Sequence, residues 1–285
     1  MKRTVCMFLI IAALCIATAG NASPNSGAVL SADSVSVGYT LQGEGTPALV
    51  FVHCWCCDRD YWKYQVPHFA ERHTVVTVDL AGHGSSGMER EDWTLGAFAG
   101  DVASVVEALD LREVILIGHS MGGPVALEAA RLLPDRVIGV VGVDTYQNFG
   151  QTIPEEQRTQ FLAAFQADFP GVTNRFVHSM FPPTADSALV EKIAADMSAA
   201  PPAVGIGAMK NLLAYDPAPS VGEIQVPIYA INSDMFPTNV EGNKKLAHSF
   251  EAKFMPGVGH FVMIEDPERF NKLLDEVVRE ITGRE

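Results

Sequence analysis

Gly118-His119-Ser120-Met121-Gly122 sets a serine between two glycines, each two residues away, a spacing that suits a hydroxyl held proud on a tight turn. A serine hydroxyl is nearly inert at pH 7 and needs a base to remove its proton. Among the eight histidines, His260 is the candidate base. It sits in Pro256-Gly257-Val258-Gly259-His260-Phe261, where two glycines allow a close loop after a short apolar run. Serine and histidine together suit attack on a carbonyl carbon, with backbone N–H groups at the turn facing the developing oxyanion.

The flanking segments read as elements able to hold these groups. Glu113-Val114-Ile115-Leu116-Ile117 is a β-branched apolar run that predicts a buried strand, and Pro124 to Leu133 predicts a helix without a breaker. Ala48 to Val52, Thr74 to Val78, Val137 to Val143, Ile228 to Ile231 and Ala252 to Met255 predict further strands. Ser34 to Tyr39 alternates as a half-exposed early strand does. Phe98, Val102, Val105, Val106 and Leu109 share one face of a helix from Leu95, and a last helix runs from Asp266 to Ile281. Strands alternating with helices predict an α/β fold, a mostly parallel sheet flanked by helices. From Tyr146 to Val221 the pattern changes to helical segments broken by prolines, which predicts a small helical cap inserted after the strand that follows the serine's helix. Phe161, Phe165 and Phe169, at i, i+4 and i+8, predict one helix side serving as cap core and, in part, as pocket wall. The organisation expected is a leader over 1–22, an α/β core over 23–145 and 222–285, and the cap over 146–221.

With Asp79-Leu80-Ala81-Gly82-His83-Gly84-Ser85-Ser86 added to the serine and histidine motifs, the chain from about 34 to 282 resembles the α/β-hydrolase superfamily. The resemblance implies Ser120 as nucleophile and His260 as general base. It places the triad acid after the strand that follows the cap, which suggests Asp234, or after the strand before the cap, which suggests Asp144 as the alternative. The common spacing at the first location falls on Phe236, so Asp234 needs a shorter loop than usual. The oxyanion hole is expected from the backbone N–H of Met121 and of Trp55 in His53-Cys54-Trp55. Relatives carry glycine where this chain has Cys54, so that side chain must turn from the substrate or narrow the pocket mouth. His53 and His83 are expected to brace loops, and His119 and Met121 to pack or line the pocket. Serine rather than aspartate at the nucleophile position disfavours dehalogenation and epoxide opening. The expected activity is hydrolysis of carboxylic esters through an acyl-enzyme, with lactone or carbon–carbon bond hydrolysis as alternatives on the same triad. A non-catalytic ligand binder keeping the fold is the alternative of another class.

Composition bounds the partners. The chain has 285 residues and a formal charge of −14. An acidic chain without a basic stripe argues against nucleic acid and anionic membrane surfaces. Lys2 and Arg3, the apolar run from Met7 to Ile16, and small residues at Ala17-Thr18-Ala19 and Gly20-Asn21-Ala22 predict an export leader. The apolar run is short for a membrane span, which needs roughly 20 residues; a retained N-terminal anchor is the alternative to a cleaved leader. Export to the periplasm or beyond leaves Cys54, Cys56 and Cys57 in one cluster, read first as packing residues, then as a local disulfide, and last as a metal or redox site. No cofactor or metal motif is present, and the expected partner is a small-molecule ester or lactone.

Overall fold

The computed structural model describes residues 25–283, so the expected leader lies outside the described residues. An edge strand β1 (Asn25–Leu30) precedes β2 (Ser36–Gln42), β3 (Ala48–Val52), the short helix α1 (Val66–Phe69), β4 (Val75–Val78) and α2 (Leu95–Ala108). Then come β5 (Val114–His119), α3 (Gly122–Leu132) and β6 (Val137–Val143). Strand order is β1-β2-β4-β3-β5-β6 and then β7 (Ile228–Ser233) and β8 (Phe250–Met255), antiparallel across β1-β2-β4 and parallel beyond. This is the α/β architecture expected.

The strands form where the sequence offers apolar, β-branched runs. Every residue of β3, β4 and β5 is buried, as strands covered by helices on both faces must be. Parallel pairing matches Val52 with Gly118, His119 with Val143, and Ser233 with Met255. The loops leaving β3, β5, β6, β7 and β8 therefore gather at one sheet edge, where open α/β sheets bind ligands. The sequence gives no sign of β1: its residues are exposed or half-buried, and Leu30 stays 69% exposed, so no apolar face marks it.

Five helices lie between β6 and β7 among the described residues: α4 (Glu155–Ala167), α5 (Phe169–His178), α6 (Ser187–Ser198), α7 (Pro202–Ala214) and α8 (Ala218–Glu223). The expectation of one helix through Phe161, Phe165 and Phe169 is corrected here. The chain breaks at Asp168, whose carboxylate accepts from the Gly171 N–H and caps α5, while Pro170 has no N–H to continue α4. The three rings still converge, because α4 and α5 pack on each other. After β7 come α9 (Val240–Leu246), β8, α10 (Val262–Glu265) and α11 (Pro267–Thr282), the last opened by the Asp266 carboxylate accepting from the Arg269 N–H. Among the described residues no helix is long and apolar enough to cross a membrane.

Candidate active site

Ser120 occupies the turn between β5 and α3 with φ at +51°, a left-handed conformation that a non-glycine residue adopts only when its surroundings demand it. Its N–H donates to the Val143 carbonyl at 3.0 Å, and its carbonyl accepts from the Gly123 N–H at 2.9 Å. Both flanking glycines are needed for close approach. A Cβ on Gly118 would collide with the Gly122 carbonyl, and one on Gly122 with the Val52 carbonyl. The glycine spacing thus lets the turn sit against β3.

His260 leaves β8 on the loop expected, and its backbone is held from three sides. Its N–H donates to the Met180 carbonyl between α5 and α6, and its carbonyl accepts from the buried His119 Nε2–H, both at 2.9 Å. Burial holds His119 well below the usual histidine range, so it stays neutral and keeps that donor. Glu265 straddles the loop, taking the Gly259 N–H at 2.8 Å and the Phe261 N–H at 3.1 Å. Burial pushes its carboxyl up, against the pull of those two donors.

The His260 ring pairs with Asp144, not with Asp234. Nδ1–H donates to Asp144 Oδ2 at 2.6 Å, while Asp144 Oδ1 accepts from the Ser233 N–H at 2.8 Å and its Oγ–H at 2.9 Å. The expected pairing of Asp234 with His260 is therefore corrected. β7 ends with Ser233 buried against Asp144, so the next residue, Asp234, faces outward, exposed, and its carboxylate takes the Gly257 N–H at 3.1 Å. Asp144 itself sits at the end of β6 with φ at +43°, its N–H bonded to Ile231. Sequence reasoning missed Ser233 and Glu265 as supports. Ser233 carries no signal there, since its contact joins residues 89 positions apart across β6 and β7; Glu265 acts locally, on Gly259 and Phe261 of its own loop.

Trp55 and Met121, the expected oxyanion donors, line the same cavity as Ser120 and His260. Among the described residues neither backbone N–H has a protein acceptor. The loop around Trp55 departs from the packing expected of its cysteines: Cys54 is bonded to Cys57, and among the described residues Cys56 is the free cysteine, buried. His53 and His83 do brace loops. His53 donates from Nδ1 to the Cys54 carbonyl and accepts the Leu80 N–H at Nε2; His83 donates to the Ala81 carbonyl.

The cavity has a volume of about 840 Å³. Its roof comes from the helical insertion, with Phe161, Phe176, Met197, Met209 and Leu212, and Phe236 stands at its wall from the loop after β7. Asp144 and His260 are the ionisable residues in its lining, and no lysine or arginine reaches it among the described residues.

The profile of the alpha/beta hydrolase family matches residues 49–273. The chain belongs to that family. It is 23% identical over 257 residues to 3-oxoadipate enol-lactonase 2 of Acinetobacter baylyi, covering 88% of this chain and 96% of that protein. The fold matches an esterase from Exiguobacterium antarcticum with a TM-score of 0.80 at 19% identity, over 88% of this chain and 98% of that one. It also matches Est816, an N-acyl homoserine lactone degrading enzyme, with a TM-score of 0.73 at 26% identity, over 87% and 98%. Other curated relatives, at 33 to 36% identity, are spanned over 34 to 38% of their length.

Proposed function

We propose that this protein is an exported serine hydrolase that cleaves neutral, apolar carboxylic esters through an acyl-enzyme. The observation that carries the reading is the Asp144–His260 pair in the wall of the cavity that Ser120 lines. With Nδ1–H committed to Asp144, His260 Nε2 carries the lone pair that takes the Ser120 proton. Ser120 Oγ then attacks the carbonyl carbon, and the oxyanion meets the Trp55 and Met121 N–H groups. His260 gives the proton to the leaving alcohol; it then takes one from a water as that water attacks the acyl carbon, and delivers it to Ser120 Oγ as the acid departs. The Asp144 carboxylate stabilises the imidazolium.

The lining supports the substrate class. An acyl chain meets aromatic rings and methionines, whose unbranched side chains adapt to varied shapes. A carboxylate on the substrate would be buried with no cation among the lining residues, an arrangement that penalises charge. Lactones suit the same machinery, and the names of the enol-lactonase and of Est816 favour them as the second reading. Export is supported by the Cys54–Cys57 bond, since disulfides persist chiefly in oxidising compartments.

Fluorophosphonate labelling with peptide mapping tests the chemistry. Label on Ser120 is expected; an unlabelled folded protein points to a pure binder. Hydrolysis of chain-matched neutral and ω-carboxylated esters and lactones tests the substrate class, and a preference for the carboxylated series overturns it. For export, the native N-terminus is expected near Gly20 or Ser23, and soluble protein starting at Met1 overturns it.

A further inference from the structure

We propose that the Cys54–Cys57 bond is the positioning element of the oxyanion hole, so that opening it lowers turnover while leaving the fold and the substrate cavity in place. This rests on the serine-hydrolase reading above.

The loop after β3 has two attachments to hold at once. Trp55 lines the cavity with Ser120, and its backbone N–H has no protein acceptor among the described residues, which leaves it available as the oxyanion donor of the serine-hydrolase reading. Its indole is held by the helical insertion: Nε1–H donates to the Gly205 carbonyl of α7 at 2.7 Å, and the rings of Phe165, Phe169 and Phe176 stand edge-on to it, 5.5 to 6.2 Å away. The side chain is therefore anchored in the helical insertion. Its amide has to be aimed from the backbone.

Three constraints close that backbone around Trp55. The Cys54 carbonyl accepts from His53 Nδ1–H at 2.8 Å and from the Cys57 N–H at 3.3 Å. Cys56 adopts φ of +55°, a left-handed conformation unfavourable for a residue with a Cβ. The covalent bond joins the two ends, whose Cα atoms are 5.3 Å apart. The His53 bond fixes the Cys54 carbonyl from the strand side alone; across the turn, the Cys57 N–H bond is long and the left-handed Cys56 is unfavourable unless the disulfide restrains it. The bond keeps both, and with them the direction of the Trp55 N–H. A donor fixed before the reaction stabilises the developing charge without reorganising, whereas a mobile one must be ordered in each turnover.

Cys54 is among the residues lining the cavity, and both bonded cysteines are almost fully buried. A dithiol reductant supplies two electrons and two protons. It leaves Cys54 and Cys57 as thiols and departs as a cyclic disulfide.

The test uses the whole mature protein. Alkylation without reductant should modify Cys56 alone after denaturation. Mild dithiol treatment should then lower kcat for a neutral ester at least tenfold, toward the roughly 10²–10³-fold cost of losing one oxyanion donor. KM should change less than about threefold, because the indole anchor persists. Reoxidation should restore kcat. Cys57→Ser should show the lowered kcat from the start and no response to reductant. Near-UV circular dichroism should be kept in the reduced wild type. Alkylation of Cys54 or Cys57 before reduction, full kcat in protein whose bridge is open by mass, or loss of tertiary signal on reduction each overturns the proposal. Equal fluorophosphonate labelling rates in both redox states overturn it alone. A protein that labels in neither state overturns the serine-hydrolase reading as well.

Discussion

Asp144 Oδ2 lies 2.6 Å from His260 Nδ1, and the same carboxylate takes two hydrogen bonds from Ser233 through its other oxygen. Its oxygens are thus divided between the imidazole and the end of β7. That division fixes the tautomer of His260 and leaves Nε2 as the basic atom.

Asp144→Asn removes the charge while keeping the shape. Turnover at neutral pH should fall on the order of 10⁴-fold, as the equivalent change does in a serine-protease triad. Asp234→Asn should keep at least half of wild-type kcat/KM, since its carboxylate meets the Gly257 N–H at an exposed position. Measuring kcat/KM for both variants at pH 7.5 decides between them; a dead Asp234→Asn with an active Asp144→Asn reverses the assignment.

Ser120→Ala and His260→Ala should each lose about 10⁴-fold or more in kcat, and the double variant little beyond either, because groups acting as one unit are not additive. Single-turnover kinetics on folded variants check this. Multiplying losses would mean that Ser120 and His260 work apart.

Ser233→Ala deletes one of the two donors to Asp144 Oδ1 and keeps the backbone N–H. A buried carboxylate losing one hydrogen bond costs about 1–2 kcal/mol, so kcat should drop roughly tenfold with little change in KM. No change in kcat would show that the backbone donor suffices.

Acid should destabilise the protein through its buried histidines. Burial, aided by His53 nearby, lowers the His83 pKa from 6.5 to about 3. The unfolded chain therefore takes up a proton near pH 6.5 that the folded chain refuses until about pH 3. The stability this contributes is full above pH 6.5 and is lost as pH falls through that window. Asp58, pushed up to about 6 by burial, works in the opposite sense between pH 3.8 and 6, so a variant must isolate the histidine. His83→Gln keeps a donor for the Ala81 carbonyl and removes the titration. Its Tm should fall less than that of wild type between pH 7 and pH 4.5, and equal slopes would assign the acid sensitivity elsewhere.

Much of this molecule is written locally. Residues 114–117 are apolar, and Val114, Ile115 and Ile117 are β-branched, so they make a strand wherever they are covered on both faces. The glycines at 118 and 122 permit the turn that carries Ser120, whatever the rest of the chain does. His260 is legible for the same reason, because a glycine-flanked loop between a strand and a helix is a local event. The acid is different. Asp144 and Asp234 both follow strands, and each suits the role by its position along the chain. The choice falls to β7, which ends with Ser233 turned inward onto Asp144, leaving Asp234 to face solvent. The cysteines behave likewise: three thiols within four residues allow more than one pairing, and the backbone turn that Cys56 makes at positive φ brings Cys57 to Cys54. The phenylalanines of α4 and α5 look like one helical stripe until Asp168 breaks it, and only the packing of the two helices returns them to Trp55. Periodicity and turn chemistry act over a few residues and survive in the sequence alone. Which side chain meets which across a sheet edge depends on strand order and register, set by burying the whole core at once.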